Sequence, residues 1–320
     1  MTPSLALRAR ARVSENADVD APFWRTTGLF RPAATDKQRR QFEKNIGWDP
    51  REDLIGVRCT RNPDGFYIPE GIVMDTKRYL EALWSRCVSL TGETASGSTI
   101  ALHQTRVNSL QDLRGYDATV IAAGAAVQSI AELRGAAFAG TLDLCQGYTV
   151  ELVKEAEEGG EHQTHNSMLG QPYVAFQNKY KAVIGATQRH GVTFHEAFQI
   201  LEHSLDDTSP EADAASDSLV RAARELVPAL ADGWRVARVR SGVRAIPSRT
   251  HLGSIPYAGR LMGEWDNCWI IAGLGARGLV YHALLGELTA GAVLGGLGND
   301  EAFEGYRELL RWMDNTKTVR

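Results

Sequence analysis

The stretch Cys268-Trp-Ile-Ile-Ala272-Gly273-Leu-Gly275-Ala-Arg-Gly278-Leu279 decides how this chain is read. The first five residues form a short apolar run, as expected for a strand buried on both faces. Three glycines in GxGxxG spacing follow, and an apolar helix is predicted from Leu279 to Leu294. That strand–loop–helix context is what the spacing needs to bind a ligand. Glycines let backbone approach the ligand closely, and a helix start offers unpaired N–H groups and partial positive charge to an anion. A complete Rossmann unit would also need a second strand and an acidic residue about 20 positions on. Here Gly295-Gly296-Leu-Gly-Asn-Asp300 leads instead into a polar helix predicted over Glu301 to Met313. The loop alone therefore reads equally as a tight turn packed on a sheet.

Outward from this loop, composition sets the bounds. The chain has 320 residues, 43% of them hydrophobic, enough for a large core and more in keeping with two domains than one. Net charge is −4 with 23% charged residues, which offers no basic surface for nucleic acid. The cysteines Cys59, Cys87, Cys145 and Cys268 form no CxxC pair, so reduced and mostly buried thiols of an intracellular protein are expected. The most apolar stretch, Leu279 to Gly295, is interrupted by His282, Glu287 and glycines, so no membrane span is expected. Arg8, Arg10 and Arg12 near the start suit either an organelle transit segment or a surface helix, which leaves cytoplasm or an organelle such as a plastid open.

Several elements announce themselves. Asp75 is placed to cap a helix with Tyr79, Leu80, Leu83, Trp84 and Cys87 on one stripe. Thr193-Phe-His-Glu196 reads as a capping box ahead of Phe198, Leu201 and Leu205. Ser209-Pro210-Glu211 predicts a helix running to Leu226 and stopping near Pro228. Ala118 to Ala123 reads as a strand buried on both faces; Tyr173 to Phe176 and Lys181 to Thr187 read as an antiparallel pair. Parallel-type and antiparallel-type strands in separate blocks imply one α/β domain interleaved with one antiparallel α+β domain. Glu155 to Asn166 is expected to be a solvated loop.

The glycine loop resembles the C-terminal flavin loop of the D-amino-acid oxidase/glycine oxidase superfamily of FAD-dependent oxidoreductases. It is similar to the Gly-Leu-Gly-Ser-Arg-Gly-Leu variant of tRNA-modifying and plant-type members, with Ala276 in place of the serine. Ser241-Gly-Val-Arg244-Ala245 and Gly253-Ser-Ile-Pro256-Tyr-Ala-Gly259 resemble the family's Gly-Leu-Arg-Pro…Pro-x-Ile-Gly segment. Pro172-Tyr173-Val174 with Val183-Ile-Gly-Ala-Thr187, His103-Gln-Thr-Arg-Val107, Tyr116 to Ala125, and Phe23 to Pro32 match further family segments in the family's order.

The resemblance implies a Rossmann-like FAD domain interleaved with an antiparallel-sheet substrate domain. Its segments would be 1–68 (substrate domain, with the helix leading into it), 69–145 (FAD domain), 146–247 (substrate domain) and 248–320 (C-terminal FAD segment). It implies FAD as cofactor, contacted by Val107, Ala123, Gly124, Gly273, Gly275, Ala276, Gly278 and Leu279. It places a substrate carboxylate on Arg244, with Tyr173 and Arg277 nearby. A planar guanidinium suits that task because it holds a carboxylate through two parallel bonds and keeps its charge. The implied reaction is oxidation of a C–N bond in a small amine or amino acid, hydride passing to the flavin, with no catalytic side chain of its own. A β-carbon at Gly275 or Gly278 is expected to clash with cofactor or to strain a positive φ.

The family's first βαβ unit, with its own GxGxxG loop and ribose-binding acid, finds no match before Phe23. The expectation is therefore a missing neighbour between or beside the strands near Ala118 and Cys268, exposed sheet edge, and weak FAD retention. A flavin-free fragment or partner-binding protein is the alternative, and a nicotinamide dehydrogenase using Gly273 to Gly278 a third. His162 and His165 lack a third ligand nearby, and no GxSxG elbow supports hydrolase chemistry. His282 is expected to pack or cap, and Trp24, Trp48, Trp84, Trp234, Trp265 and Trp269 to serve the core.

Overall fold

The computed structural model describes residues 24–26, 28–33, 35–37, 39–40, 60–62, 65–68, 71–93, 99–134, 139–155, 166–202, 206–251 and 253–311. Phe23, Trp48, Cys59, His162, His165, Leu205 and nearly all of the loop expected at Glu155 to Asn166 lie outside the described residues.

The first part of the chain holds β1 (Trp24–Thr26), β2 (Leu29–Pro32), β3 (Thr60–Asn62), β4 (Gly65–Ile68), β5 (Ile72–Met74), helix α1 (Thr76–Glu93) and β6 (Thr119–Ile121). The middle holds β7 (Leu142–Lys154), β8 (Ser167–Met168), β9 (Tyr173–Asn178), β10 (Lys181–Gly185), α2 (Phe194–Glu202) and α3 (Pro210–Leu226). Then come β11 (Trp234–Pro247), β12 (Arg249–Thr250), β13 (Gly253–Ser254), β14 (Tyr257–Arg260), β15 (Cys268–Ala272) and α4 (Gly278–Gly295). Eight strands form one sheet in the order β11-β7-β10-β9-β8-β2-β4-β3, and three form another, β14-β15-β6. The chain passes from the large sheet to the small one and back before ending on the small one, so the two layers are interleaved.

Period-two alternation explains the large sheet. Val150, Leu152, Val174, Phe176, Ala182 and Ile184 point to one face and are buried with Leu219, Val220 and Ala223 of α3. Trp234 closes that cluster, its ring 5.7 Å from Phe176. The opposite face carries Thr149 and Tyr173, both half-buried, and Gly185, which is buried. The helix signals act locally. Ser209 Oγ accepts the Ala212 N–H at 3.2 Å, and α3 stops two residues before Pro228. Thr193 and Glu196 form the reciprocal capping box, Thr193 N–H to Glu196 Oε2 at 2.8 Å and Glu196 N–H to Thr193 Oγ1 at 3.2 Å.

In the small sheet β15 and β6 run parallel and pair directly, Trp269 opposite Val120. No strand separates them, contrary to the first form of the gap expected there. β6 is the edge, and among the described residues no strand pairs with its other side. Val120 is accordingly 46% exposed, which corrects the expectation of burial on both faces. α4 is long and apolar enough to cross a membrane by length and composition. It packs here through Tyr281, Leu284, Leu285 and Ala292 with Ile255, Ala258 and Trp269.

Other expectations are corrected too. On α1 the cap holds, Arg78 N–H donating to Asp75 Oδ1 at 3.3 Å. Of the predicted stripe, however, only Tyr79 is buried; Leu80, Trp84 and Cys87 are exposed because nothing described covers that side of the helix. His103 to Arg106 are exposed coil and Val107 half-buried coil, and among the described residues no strand pairs with them. Of the helix predicted over Glu301 to Met313, the described part, to residue 311, is instead a short helix, Asn299–Ala302, and a turn at Arg307–Leu310, which bury Phe303, Leu309 and Leu310.

Candidate active site

β6 and β15 are parallel, so their carboxyl ends open on the same edge of the sheet. Ligands of open α/β sheets bind at such an edge. Gly124 follows β6 with φ +56, and Gly273 and Gly275 follow β15 with φ +70 and +55. These left-handed conformations suit glycine and turn the chain sharply. Gly278 does not share them: its φ is −52, inside the helix, and a β-carbon there would meet only Leu274 at 4.0 Å. The strain expected at Gly278 is therefore absent. The first turn of α4 contains no acid, and its N-cap residue Arg277 makes no side-chain capping bond. No capping side chain competes for the N–H groups of that turn, which leaves a place for an electron-rich group.

The loop is seated on the strand that carries Arg244. A β-carbon on Gly273 would lie 3.3 Å from Pro247, and one on Gly275 3.6 Å from Ile246. On β11, Arg244 pairs in register with Cys145 of β7. Its guanidinium reaches over Gly147 to donate to the Thr187 carbonyl at 3.4 Å. Tyr173 of β9 pairs with Gly185, which pairs with Thr149 of β7. In the order β11-β7-β10-β9, Arg244 and Tyr173 lean toward each other from the two outer strands. Burial raises the Tyr173 phenol above its usual pKa, while the Arg244 charge pulls it down. The hydroxyl thus stays protonated and able to donate. Burial likewise raises the Cys145 thiol, against the pull of Arg244, which disfavours its thiolate form. Glu151, a carboxylate further along β7, is taken up by Lys181 at 3.2 Å and Arg238 at 3.6 Å.

The remaining residues singled out from sequence are placed as follows. Ala276, Arg277 and Leu279 are exposed on the loop and first turn of α4. Arg277 turns a guanidinium nitrogen toward the β12–β13 hairpin, 3.9 Å from the β-carbon position of Gly253. Ala123 is the residue before the turn at Gly124. Val107 lies half-buried in coil, without the strand expected around it. His282 packs and hydrogen-bonds, its Nε2 2.8 Å from the Tyr79 hydroxyl. Gly185 and Thr187 stand in the sequence only within the stretch that resembles the family's antiparallel pair, without a role of their own, and Gly147 is not singled out; a glycine inside a strand is the available signal for the two glycines.

The chain matches the sequence model of the FAD dependent oxidoreductase family over residues 4–292. It belongs to that family. Solved structures agree in fold. Iminodiacetate oxidase from Chelativorans sp. BNC1 is 19% identical, with 95% of this chain and 82% of that one covered and a TM-score of 0.66. Glycine oxidase from Geobacillus kaustophilus is 18% identical, with 91% and 79% covered and a TM-score of 0.66. L-proline dehydrogenase from P. horikoshii is 13% identical, with 98% and 83% covered and a TM-score of 0.67. Comparison with curated protein sequences gives no match. The fold is the family's Rossmann-like α/β layer with a separate sheet domain, and the cofactor is FAD. The residues present fit the ring end of that cofactor: positive-φ glycines bare of side chains, beside a helix start that no side chain caps.

Proposed function

We propose that the chain oxidises the C–N bond of a carboxylate-bearing amine, such as an amino acid. One observation carries this reading: Arg244 and Tyr173 lean together on one face of the large sheet, Arg244 on the strand that seats the glycine loop and Tyr173 on β9. Arg244 would bind the substrate carboxylate through the N–H groups not directed at Thr187, with charge-assisted bonds. Tyr173, held protonated, would donate a further bond to the carboxylate. Gly273, Gly275, Ala276, Gly278 and Leu279 would lie against the flavin ring, and Ala123, Gly124 and Val107 along the rest of the cofactor. FAD, when bound, supplies the two-electron acceptor. The amine loses the α-hydrogen with the electron pair and one N–H proton, becoming an imine that water hydrolyses. The protein's part is orientation: a carboxylate fixed at one end sets where the α-carbon lies. A neutral substrate amine needs no base, and Glu151 is ion-paired.

The test is anaerobic mixing of protein reconstituted with excess FAD against amino acids and matching amines that lack the carboxylate. Loss of visible flavin absorbance with the carboxylate-bearing series alone is the expected result. Equal loss with both series, or with neither, overturns the reading.

A further inference from the structure

We propose that Gly147 and Gly185 are positioning residues, which withhold a β-carbon from the sheet floor so that the Arg244 guanidinium and the Tyr173 hydroxyl lie flat and converge on one carboxylate. The inference rests on the reading of Arg244 as carboxylate anchor. Glycine is disfavoured inside strands, where β-branched and aromatic residues pack better. Neither glycine has a positive φ, so neither is called for by a left-handed backbone. What each provides is space. A β-carbon on Gly147 would lie 2.8 Å from the Arg244 terminal nitrogen and 2.7 Å from the Thr187 carbonyl oxygen that the guanidinium bonds. One on Gly185 would lie 2.7 Å from the Tyr173 hydroxyl, 2.8 Å from its Cζ and 2.9 Å from Thr149 Cγ2. All of these are well inside the roughly 3.5–4.0 Å at which non-bonded carbons rest. Gly147 is on β7 and Gly185 on β10, strands that adjoin through the Gly185–Thr149 pair. Each polar tip thus lies over the strand next to its own, and the two tips approach from opposite sides. Side chains at these positions would hold both tips up and apart.

The sheet contains its own control. Gly242 is the register partner of Gly147, also glycine and also without positive φ, yet a β-carbon there meets nothing within 4 Å. Gly147→Ala and Gly242→Ala therefore make the same change in backbone freedom on facing positions, and only the first disturbs Arg244.

The experiment is calorimetric titration of FAD-reconstituted protein with acetate and benzoate, and with ethylamine as the probe lacking a carboxylate. Gly147→Ala and Gly185→Ala are expected to weaken carboxylate binding about 10-fold or more, the scale of a lost hydrogen bond to a charged group. Gly242→Ala is expected to change it by less than about twofold, since its β-carbon enters open space. Ethylamine binding is expected to be the same in all three. In an Arg244→Ala background, Gly147→Ala should have no further effect. If Gly147→Ala and Gly185→Ala bind carboxylates like the wild type while Arg244→Ala does not, the positioning role is wrong and the anchor stands. If Arg244→Ala binds like the wild type, the anchor itself is wrong. Should Gly185→Ala fail to fold, it is combined with Tyr173→Ala and Thr149→Ala, which remove the three nearest atoms; restored folding supports the clash, and continued failure contradicts it. Gly147 also faces the Thr187 carbonyl oxygen, which no side-chain truncation removes, so an unfolded Gly147→Ala is replaced in the titration by Gly185→Ala.

Discussion

The β-carbon position of Gly275 lies 3.6 Å from Ile246 Cγ1, two residues along β11 from Arg244. The flavin-side loop and the strand bearing the proposed anchor are thus one packed unit, and moving either moves the other. Gly275→Val would force a branched residue into φ +55, a conformation that costs an L-residue roughly 1–2 kcal/mol. Its methyl groups would also press on Ile246. The expected outcome is lost FAD retention with an unchanged far-ultraviolet circular dichroism spectrum. A variant that holds FAD like the wild type would show the loop to be a structural turn only.

Tyr173→Phe keeps the ring over Gly185 and removes the hydroxyl. The expected outcome is a KM several-fold higher for carboxylate-bearing amines, with kcat and melting temperature little changed, as suits one hydrogen bond lost at the binding end. An unchanged KM would remove Tyr173 from the site.

Much of this was legible in the sequence where the physics is local. The Thr193/Glu196 box, the Ser209 cap and the Cys268 to Gly278 strand and loop each depend on residues a few positions apart. Burial was not legible where it depends on a distant neighbour. Val120 reads as a core strand residue and Trp84 as helix core, but each faces a side that no described element covers. Arg244 and Tyr173 could be picked out by resemblance, whereas the role argued for Gly147 and Gly185 needs the strand register, which lies beyond local pattern.

Glu196 gives the fold a signature in acid. Hydrogen bonds from Thr193, then Arg189, lower its pKa from an ordinary 4.5 to about 2. A carboxylate lowered on folding stabilises above its unfolded value, and that stabilisation fades as pH falls through the folded one. The α2 contribution should therefore be whole near neutrality and drain away between 4.5 and about 2. Melting curves across that range should show a steeper loss for the wild type than for Glu196→Gln. Parallel curves would mean the box is formed equally well by a neutral side chain.

Tyr79 ties α1 to α4. It is 2% exposed, and its hydroxyl meets His282 Nε2 at 2.8 Å while His282 Nδ1 lies 3.1 Å from the Leu279 carbonyl oxygen. With Nδ1–H donating to that carbonyl, Nε2 accepts from the tyrosine. Tyr79→Phe should lower stability by about 1 kcal/mol, more if His282 is left without water. Denaturant midpoints of the two proteins check this, and no change would mean the bond is replaced by solvent at no loss.

The most direct measurement is a spectral titration of FAD-reconstituted wild type, Arg244→Ala and Arg244→Lys with benzoate, reading the flavin absorbance. The expected result is a saturable change in the wild type, a requirement for roughly 100-fold more benzoate in Arg244→Ala, and partial recovery in Arg244→Lys, whose ammonium carries the charge without the two-pronged geometry. The same saturable change at the same benzoate concentration in Arg244→Ala would contradict the assignment of the carboxylate to Arg244.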